Sequence, residues 1–209
     1  MMKVDSVASQ PDRVGRHAVH FNDGSTMRLY RQTVEDFGLY TGLELSEQEF
    51  KQLKEAAGAM SAKMRAVRIV AASSVSKRDL EHRLVSKGEN PTQARNAVAW
   101  MSELSLVDDK KVAEQIVNRC VQKGYGLARA KQALYEKQIP KEYWDEALKD
   151  YPDQLDAVLQ FLRGRLDEIT DERNKKRVIE ALLRRGHSYA LIRRAMEQFS
   201  CNTDDMPED

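Results

Sequence analysis

Apolar positions recur along this chain in two different rhythms. Between Arg16 and about Tyr40 they alternate, with Val19 and Phe21 in one run and Met27 and Leu29 in the next, separated by Asn22-Asp23-Gly24-Ser25. Alternation places every second side chain on one face of a strand, and Asp-Gly between two such runs predicts a hairpin, because the tight turn needs φ > 0. A helix is predicted to begin at Ser46, with Glu49 three positions on to complete a capping box and Phe50 and Leu53 as its apolar side. From Ser61 onward the rhythm is helical, in stretches split by short Gly, Pro and Ser punctuation. Ser76 with Asp79 is a cap signal, Gly88 a stop, Asn90-Pro91 a start, Gly124-Tyr125-Gly126 a break, and Pro140 and Pro152 further starts.

Three of these stretches superimpose. Leu80 and Leu84 precede Lys87-Gly88, Ala130 and Leu134 precede Lys137-Gln138, and Val178 and Leu182 precede Arg185-Gly186. Val98, Leu148 and Met196 each follow the stop by ten positions. In every copy two apolar residues four apart share a helix face, and a cation sits at the helix end, where the dipole is negative. The offset of roughly 50 residues lies in the range of repeat architectures. Each unit also has a leading helix: Ala62 to Ala72, Lys110 to Gln122, and Gln154 to about Asp167, the last joined by a longer connection around Glu168-Ile169-Thr170.

The expected fold is therefore mainly α: three tandem three-helix repeats forming an elongated curved array, with a small N-terminal head containing a β-hairpin. The expected boundaries are a disordered arm at 1–13, an α/β head at 14–60, repeats at 61–107, 108–151 and 152–200, and an acidic tail at 201–209. The N-terminus lacks the apolar core of a secretion signal, and no stretch approaches the roughly 20 apolar residues of a membrane span. Cys120 and Cys201 form no CxxC and no Cys/His cluster, which argues against a disulfide framework or a zinc site and fits a reducing cytosol. The expected location is cytoplasmic.

Charge narrows the partners. Thirty-four Lys and Arg face 33 Asp and Glu, a net +1, so any nucleic-acid surface must be local. Between Lys110 and Lys141 the cations Lys110, Lys111, Arg119, Lys123, Arg129, Lys131, Lys137 and Lys141 face only Glu114 and Glu136. Farther on, Arg173, Arg177 and Arg184 share one side of a helix opposite Leu182, with Arg185 beside them and Glu180 interrupting the stripe. Two readings stand: an ordinary solvated helix face, or a positive strip that meets phosphates or acidic patches and weakens with salt.

Other features read as structure first. Asp108-Asp109 is expected to start a helix rather than bind metal, since no third carboxylate or His stands at ligand spacing. Gly124-Tyr125-Gly126 lacks the pattern of a phosphate loop and reads as a tight connection or a surface element. Trp100, Tyr143, Trp144 and Tyr151 are expected to be buried between helices, with base stacking as the alternative. His17, His20, His82 and His187 are too dispersed for a cluster, and His187 is expected to support a helix end.

Residues 62–199 resemble the RecX family, and the head resembles the N-terminal extension that many members carry. The likeness rests on Leu106-Val107-Asp108-Asp109, Lys123-Gly124-Tyr125-Gly126 and Arg129-Ala130-Lys131-Gln132-Ala133-Leu134 in the second repeat. Ser76-xx-Asp79-Leu80-xx-Arg83-Leu84 in the first and Leu182-Leu183-Arg184-Arg185-Gly186-His187 in the third carry it further. Cys120, Val121 and Gln122 stand where many members have arginine-rich residues, and Leu127, Ala130 and Val112 replace the usual Pro, Ile and Phe. The resemblance implies a non-catalytic protein that binds RecA filaments, lies along their groove and limits recombinase, ATPase and coprotease activity in DNA repair and the SOS response. It adds Tyr125 to the candidate contacts. No cofactor, metal, membrane or small-molecule substrate is expected; the partners are the RecA filament and single- or double-stranded DNA in its context. A stand-alone DNA-binding protein built from helix-turn-helix-like units is the alternative, and an enzyme ranks last because no nucleophile–base pair or nucleotide loop is present.

Overall fold

The predicted hairpin forms around Asp23-Gly24. Strands β2 (Arg16–Phe21) and β3 (Thr26–Tyr30) pair antiparallel, with His17 opposite Leu29 and Val19 opposite Met27. Gly24 takes φ +80°, and Asp23 Oδ1 accepts from the Ser25 N–H at 2.9 Å, closing the turn. A computed structural model describes residues 1–165 and 172–204, with side chains described up to residue 199. The connection around residues 168–170 and the 205–209 end of the tail lie outside the described residues.

The N-terminal arm is not disordered. Met2–Val7 forms β1, which pairs antiparallel with β2 on one side and with β4 (Glu44–Leu45) on the other, giving the order β3-β2-β1-β4. Val4 is completely buried there. The arm reads as polar because it contributes one core side chain and much backbone hydrogen bonding. Pairing partners distant in sequence supply the order that its composition lacks. Behind the sheet lie α1 (Arg31–Asp36) and the start of α2 (Glu47–Ala72). Phe21 meets Phe50 edge to face, centroids 5.1 Å apart, within a core that includes Val19, Leu29, Leu45 and Leu53.

The expected boundary at residue 60 falls inside α2, which runs unbroken for 26 residues. Its start is the predicted capping box: Ser46 Oγ accepts from the Glu49 N–H, and Glu49 returns a carboxylate to the Ser46 N–H at 2.7 Å. Gly58 lies within the helix, and a Cβ there would meet only the end of the flexible Gln93 side chain. One helix thus belongs both to the head and to the first repeat, where Ala62 and Ala66 face Leu80 and Leu84 of α3 (Lys77–Ser86) and Ala94, Ala97 and Met101 of α4 (Pro91–Glu103).

A second compact unit begins at Asp108. Its first half holds α5 (Asp109–Gln122), α6 (Leu127–Glu136), a 3-10 turn (Lys141–Tyr143) and α7 (Trp144–Leu148), around Val112, Ala113, Val117, Leu134 and Ile139. The third helix of this repeat is only five residues long. Its second half holds α8 (Leu155–Arg163), α9 (Glu172–Arg184) and α10 (Tyr189–Asp204), around Val158, Leu162, Val178, Leu182, Ile192 and Ala195. The leading helix α8 ends at Arg163, with Gly164 capping it, and the expected end near Asp167 lies outside the described residues.

The repeat signature is structural. Leu80, Leu84, Ala130, Leu134 and Leu182 are fully buried, and Val178 nearly so. All three stops are left-handed: Gly88 has φ +90°, Gln138 +53° and Gly186 +85°. The fold is mainly helical, with an open N-terminal sheet and a series of three-helix repeats. No helix among the described residues is long and apolar enough to cross a membrane.

Candidate interaction surface

The Gly124-Tyr125-Gly126 break joins the two halves of the second unit. Gly126 N–H donates to the Arg185 carbonyl at 2.9 Å, and Ala128 N–H donates to the Gly186 carbonyl at 3.3 Å. Tyr151 Oη donates to the Tyr125 carbonyl at 2.6 Å, and His187 Nε2 donates to the Gly124 carbonyl at 3.0 Å. A Cβ on Gly126 would overlap the Gly186 carbonyl, and one on Gly186 would overlap the Arg129 backbone, so both glycines are required by close approach. His187 supports a helix end as expected, reaching back to the preceding repeat. Burial lowers its pKa, reinforced by nearby Arg185 and opposed by its bond to Gly124. Burial likewise pushes the Tyr151 hydroxyl up to about 12.

This joint gathers cations. Arg129 from α6, Arg184 and Arg185 from the end of α9, and Arg165 after α8 line a cavity of about 290 Å³ with Tyr125 and Phe161. The guanidinium carbons of Arg165 and Arg185 stand 3.9 and 4.6 Å from the Phe161 ring centroid. The ring's negative face attracts both, each contact contributing about 0.5–1 kcal/mol where exposed. Among the described residues, Glu136 lies 3.1 Å from Arg129, and Glu180 lies 3.9 Å from Arg184 in a pair that is largely exposed. The guanidiniums gathered here are planar donors suited to phosphate or carboxylate oxygens.

Four of the twelve residues expected to make contact, Tyr125, Arg129, Arg184 and Arg185, therefore meet in one place. Lys123 adjoins it, with Nζ 6.0 Å from the Tyr125 ring centroid. Arg119 is exposed in the last turn of α5, and exposed Lys131 lines a neighbouring cavity of about 550 Å³. Lys110 and Lys111 lie in the first turn of α5, where Lys111 pairs with Asp108 at 3.7 Å. Lys137 caps the end of α6. Arg173 and Arg177 are exposed on α9 away from the cavity, Arg177 bonding Asn174 at 3.4 Å. The stripe on α9 thus reaches the cluster only at its C-terminal end. Phe161 and Arg165 do not stand out in the sequence, although an aromatic and a cation four apart at a helix end are a usable signal.

The remaining motifs are structural. Asp108 caps α5, accepting from the Lys110 and Lys111 N–H groups at 3.0 and 3.3 Å. No group of three or more His, Cys, Asp or Glu among the described residues could hold a metal ion. Trp144 Nε1 donates to the Ile139 carbonyl at 3.0 Å, while Trp100 packs on the first-repeat core with Lys63 over its ring at 5.1 Å. Cys120 is a buried free thiol whose pKa is raised by burial despite Arg129, Lys123 and Arg119 nearby.

Comparisons with known proteins agree with this architecture. A family model described as RecX, second three-helix domain, matches residues 108–148. The chain is 25% identical over 202 residues to the regulatory protein RecX of Clostridioides difficile strain 630, covering 94% of this chain and 93% of that one. It is 28% identical over 144 residues to the regulatory protein RecX of Halorhodospira halophila, covering 66% and 89%. A crystal structure of regulatory protein RecX superimposes with a TM-score of 0.64 at 18% identity, covering 94% of this chain and all of that one. RecX from Lactobacillus salivarius does so with a TM-score of 0.59 at 20% identity, covering 70% and 99%. These two likenesses carry the fold.

Proposed function

We propose, on the premise that this chain belongs to the RecX family of regulatory proteins, that it binds the RecA–DNA filament and restrains recombinase, ATPase and coprotease activity in DNA repair and the SOS response. The observation that carries the reading is the arginine cluster around Phe161. It is a surface rich in guanidinium groups, set where the backbones of Gly126 and Gly186 touch. Phe161 and the Gly126–Gly186 contact hold the guanidiniums in place before a partner arrives, which reduces the ordering cost of binding. Phosphates of filament DNA or carboxylates on the filament surface are the groups such donors accept. A protein bound across neighbouring protomers blocks filament extension or the conformational cycle of ATP hydrolysis without any ATPase of its own. The cations Lys110, Lys111, Arg119, Lys123, Lys131, Lys137, Arg173 and Arg177 extend the surface as weaker contacts that add through effective concentration.

The test measures binding to RecA assembled on single-stranded DNA, to bare DNA and to free RecA, at two salt concentrations. The expected result is tight, salt-weakened binding to the filament and weaker binding to either component, with strand exchange slowed. Strand exchange unchanged at excess protein overturns the reading. Equal binding to bare DNA and filament replaces it with a stand-alone DNA-binding protein built from three-helix units.

A further inference from the structure

The first unit contains a second cationic groove, built from residues outside the basic stretches of the later repeats. Arg65 and Arg68 project from α2, Arg83 and Lys87 from the end of α3, and Arg16 from the start of β2. Together they line a groove of about 490 Å³ with no acidic residue in its lining. The helix places Arg65 and Arg68 about 4.5 Å apart along its axis. Val14, Ile69 and Ala72 add apolar lining to the same groove.

The guanidiniums are held in position from behind. Asp12 Oδ2 accepts from Arg16 Nε and Nη2 at 3.0 and 2.9 Å, and Asp79 Oδ1 accepts from Arg83 Nε at 2.9 Å. Glu89 lies 2.7 Å from Arg65, whose Nη1 also donates to the Lys87 carbonyl at 2.8 Å. Arg68 is held by neutral groups, donating to Tyr30 Oη at 2.8 Å and to the Met64 carbonyl at 3.1 Å. Five cations therefore face three carboxylates, and Asp12 is shared further with Arg28 at 4.0 Å. The excess charge resides on Arg68 and Lys87, both exposed.

We propose that this groove binds the phosphodiester backbone of a single nucleic-acid strand, at a site separate from the arginine cluster of the second unit. Arginine predominates, and its planar fork matches two phosphate oxygens at once. Arg16, Arg65 and Arg83 are half-buried, so a phosphate must enter the groove to reach them. A flexible single strand can enter, while a duplex meets only the rim. The apolar lining suits sugar and base faces. An acidic peptide is served less well: β2, which carries Arg16, is an interior strand with both edges paired, and the Lys87 carbonyl is already occupied, so neither offers a free backbone group to an extended chain.

The test uses the full chain and a fluorescent oligo(dT), with anisotropy read over a series of salt concentrations. Arg68→Glu combined with Lys87→Glu is expected to lower affinity at least tenfold. It should also flatten the slope of log K against log salt by about 1.4, at roughly 0.7 for each single-strand phosphate that is no longer neutralised. Lys87→Gln alone removes the charge at an exposed helix end without placing an anion against the dipole, so it is expected to stay close to the wild-type melting temperature and to remove about half of that slope. Unchanged affinity and slope in both variants overturn the proposal. Oligoglutamate that displaces the oligonucleotide at equal charge overturns it in favour of an acidic protein segment. Arg129→Glu with Arg184→Glu, run alongside, separates the two sites. Loss there with an unaffected groove variant sinks this proposal and spares the second-unit reading; the reverse pattern supports the groove and counts against the cluster.

Discussion

Gly126 and Gly186 lie backbone to backbone, sixty residues apart in sequence, and neither has room for a side-chain carbon. The Gly126 N–H donates to the carbonyl of Arg185 next to Gly186, so the close approach also satisfies a helix-start donor. Gly126→Ala should therefore destabilise the protein by about 1–3 kcal/mol, the usual cost of forcing atoms into a packed contact. Chemical denaturation measures this. A variant as stable as wild type would show that the joint opens without cost.

Gln138 occupies the left-handed position that glycine fills in the other two repeats. That backbone costs an L-residue roughly 1–2 kcal/mol, against about 0.5–1 kcal/mol for the extra freedom of an unfolded glycine. Gln138→Gly is thus expected to raise stability by up to about 1 kcal/mol, whereas Gly88→Ala should lower it. Thermal melting of the two variants checks the opposite signs.

The His187 joint should weaken in acid. Its Nε2 carries the proton donated to the Gly124 carbonyl, while Nδ1 is buried with no partner among the described residues. Burial lowers the folded pKa, so between that pKa and the unfolded value near 6.5 the unfolded chain binds more protons. This contribution to stability is complete above about pH 6.5 and declines as pH falls toward the folded pKa. His187→Gln, which can keep a donor to Gly124, should remove that part of the stability–pH curve. An unchanged curve would assign the acid sensitivity to other groups.

Phe161 positions Arg165 and Arg185, so Phe161→Leu should keep the α8 packing and lose the ring's hold on both cations. Filament affinity is expected to fall about three- to thirty-fold, corresponding to one or two cation–π contacts of about 0.5–1 kcal/mol each. Helicity by circular dichroism should be unchanged. Loss of helicity would mean that Phe161 acts as a core residue.

Much of the helical architecture was legible because its causes are local. The Ser46–Glu49 box, the Ser76, Asn90 and Asp108 caps and the Leu80/Leu84 and Val178/Leu182 pairs each lie within one or two turns of sequence. The N-terminal strand was not legible, because β1 is ordered by β2 and β4 rather than by its own pattern. Nor was the continuity of α2: the expected boundary between head and first repeat at residue 60 falls within one unbroken helix. For the candidate surface, the sequence indicated its charge and four of its members. Phe161 and Arg165 entered only when α8 was brought beside α9.

The sequence by itself determined the repeat: where helices start, which faces are apolar, and that each unit ends its middle helix in a small or polar stop. Hydrogen bonding within a turn and the helical period set these features without reference to distant residues. Tertiary structure alone decided which cations act together. Arg129, Arg165, Arg184 and Arg185 share a cavity because Gly126 and Gly186 permit two backbones to touch. The same holds for Arg16, Arg65, Arg68, Arg83 and Lys87, which converge because one helix serves both the sheet and the first repeat. Charge acts through space over several ångströms, and sequence separation carries little information about that distance.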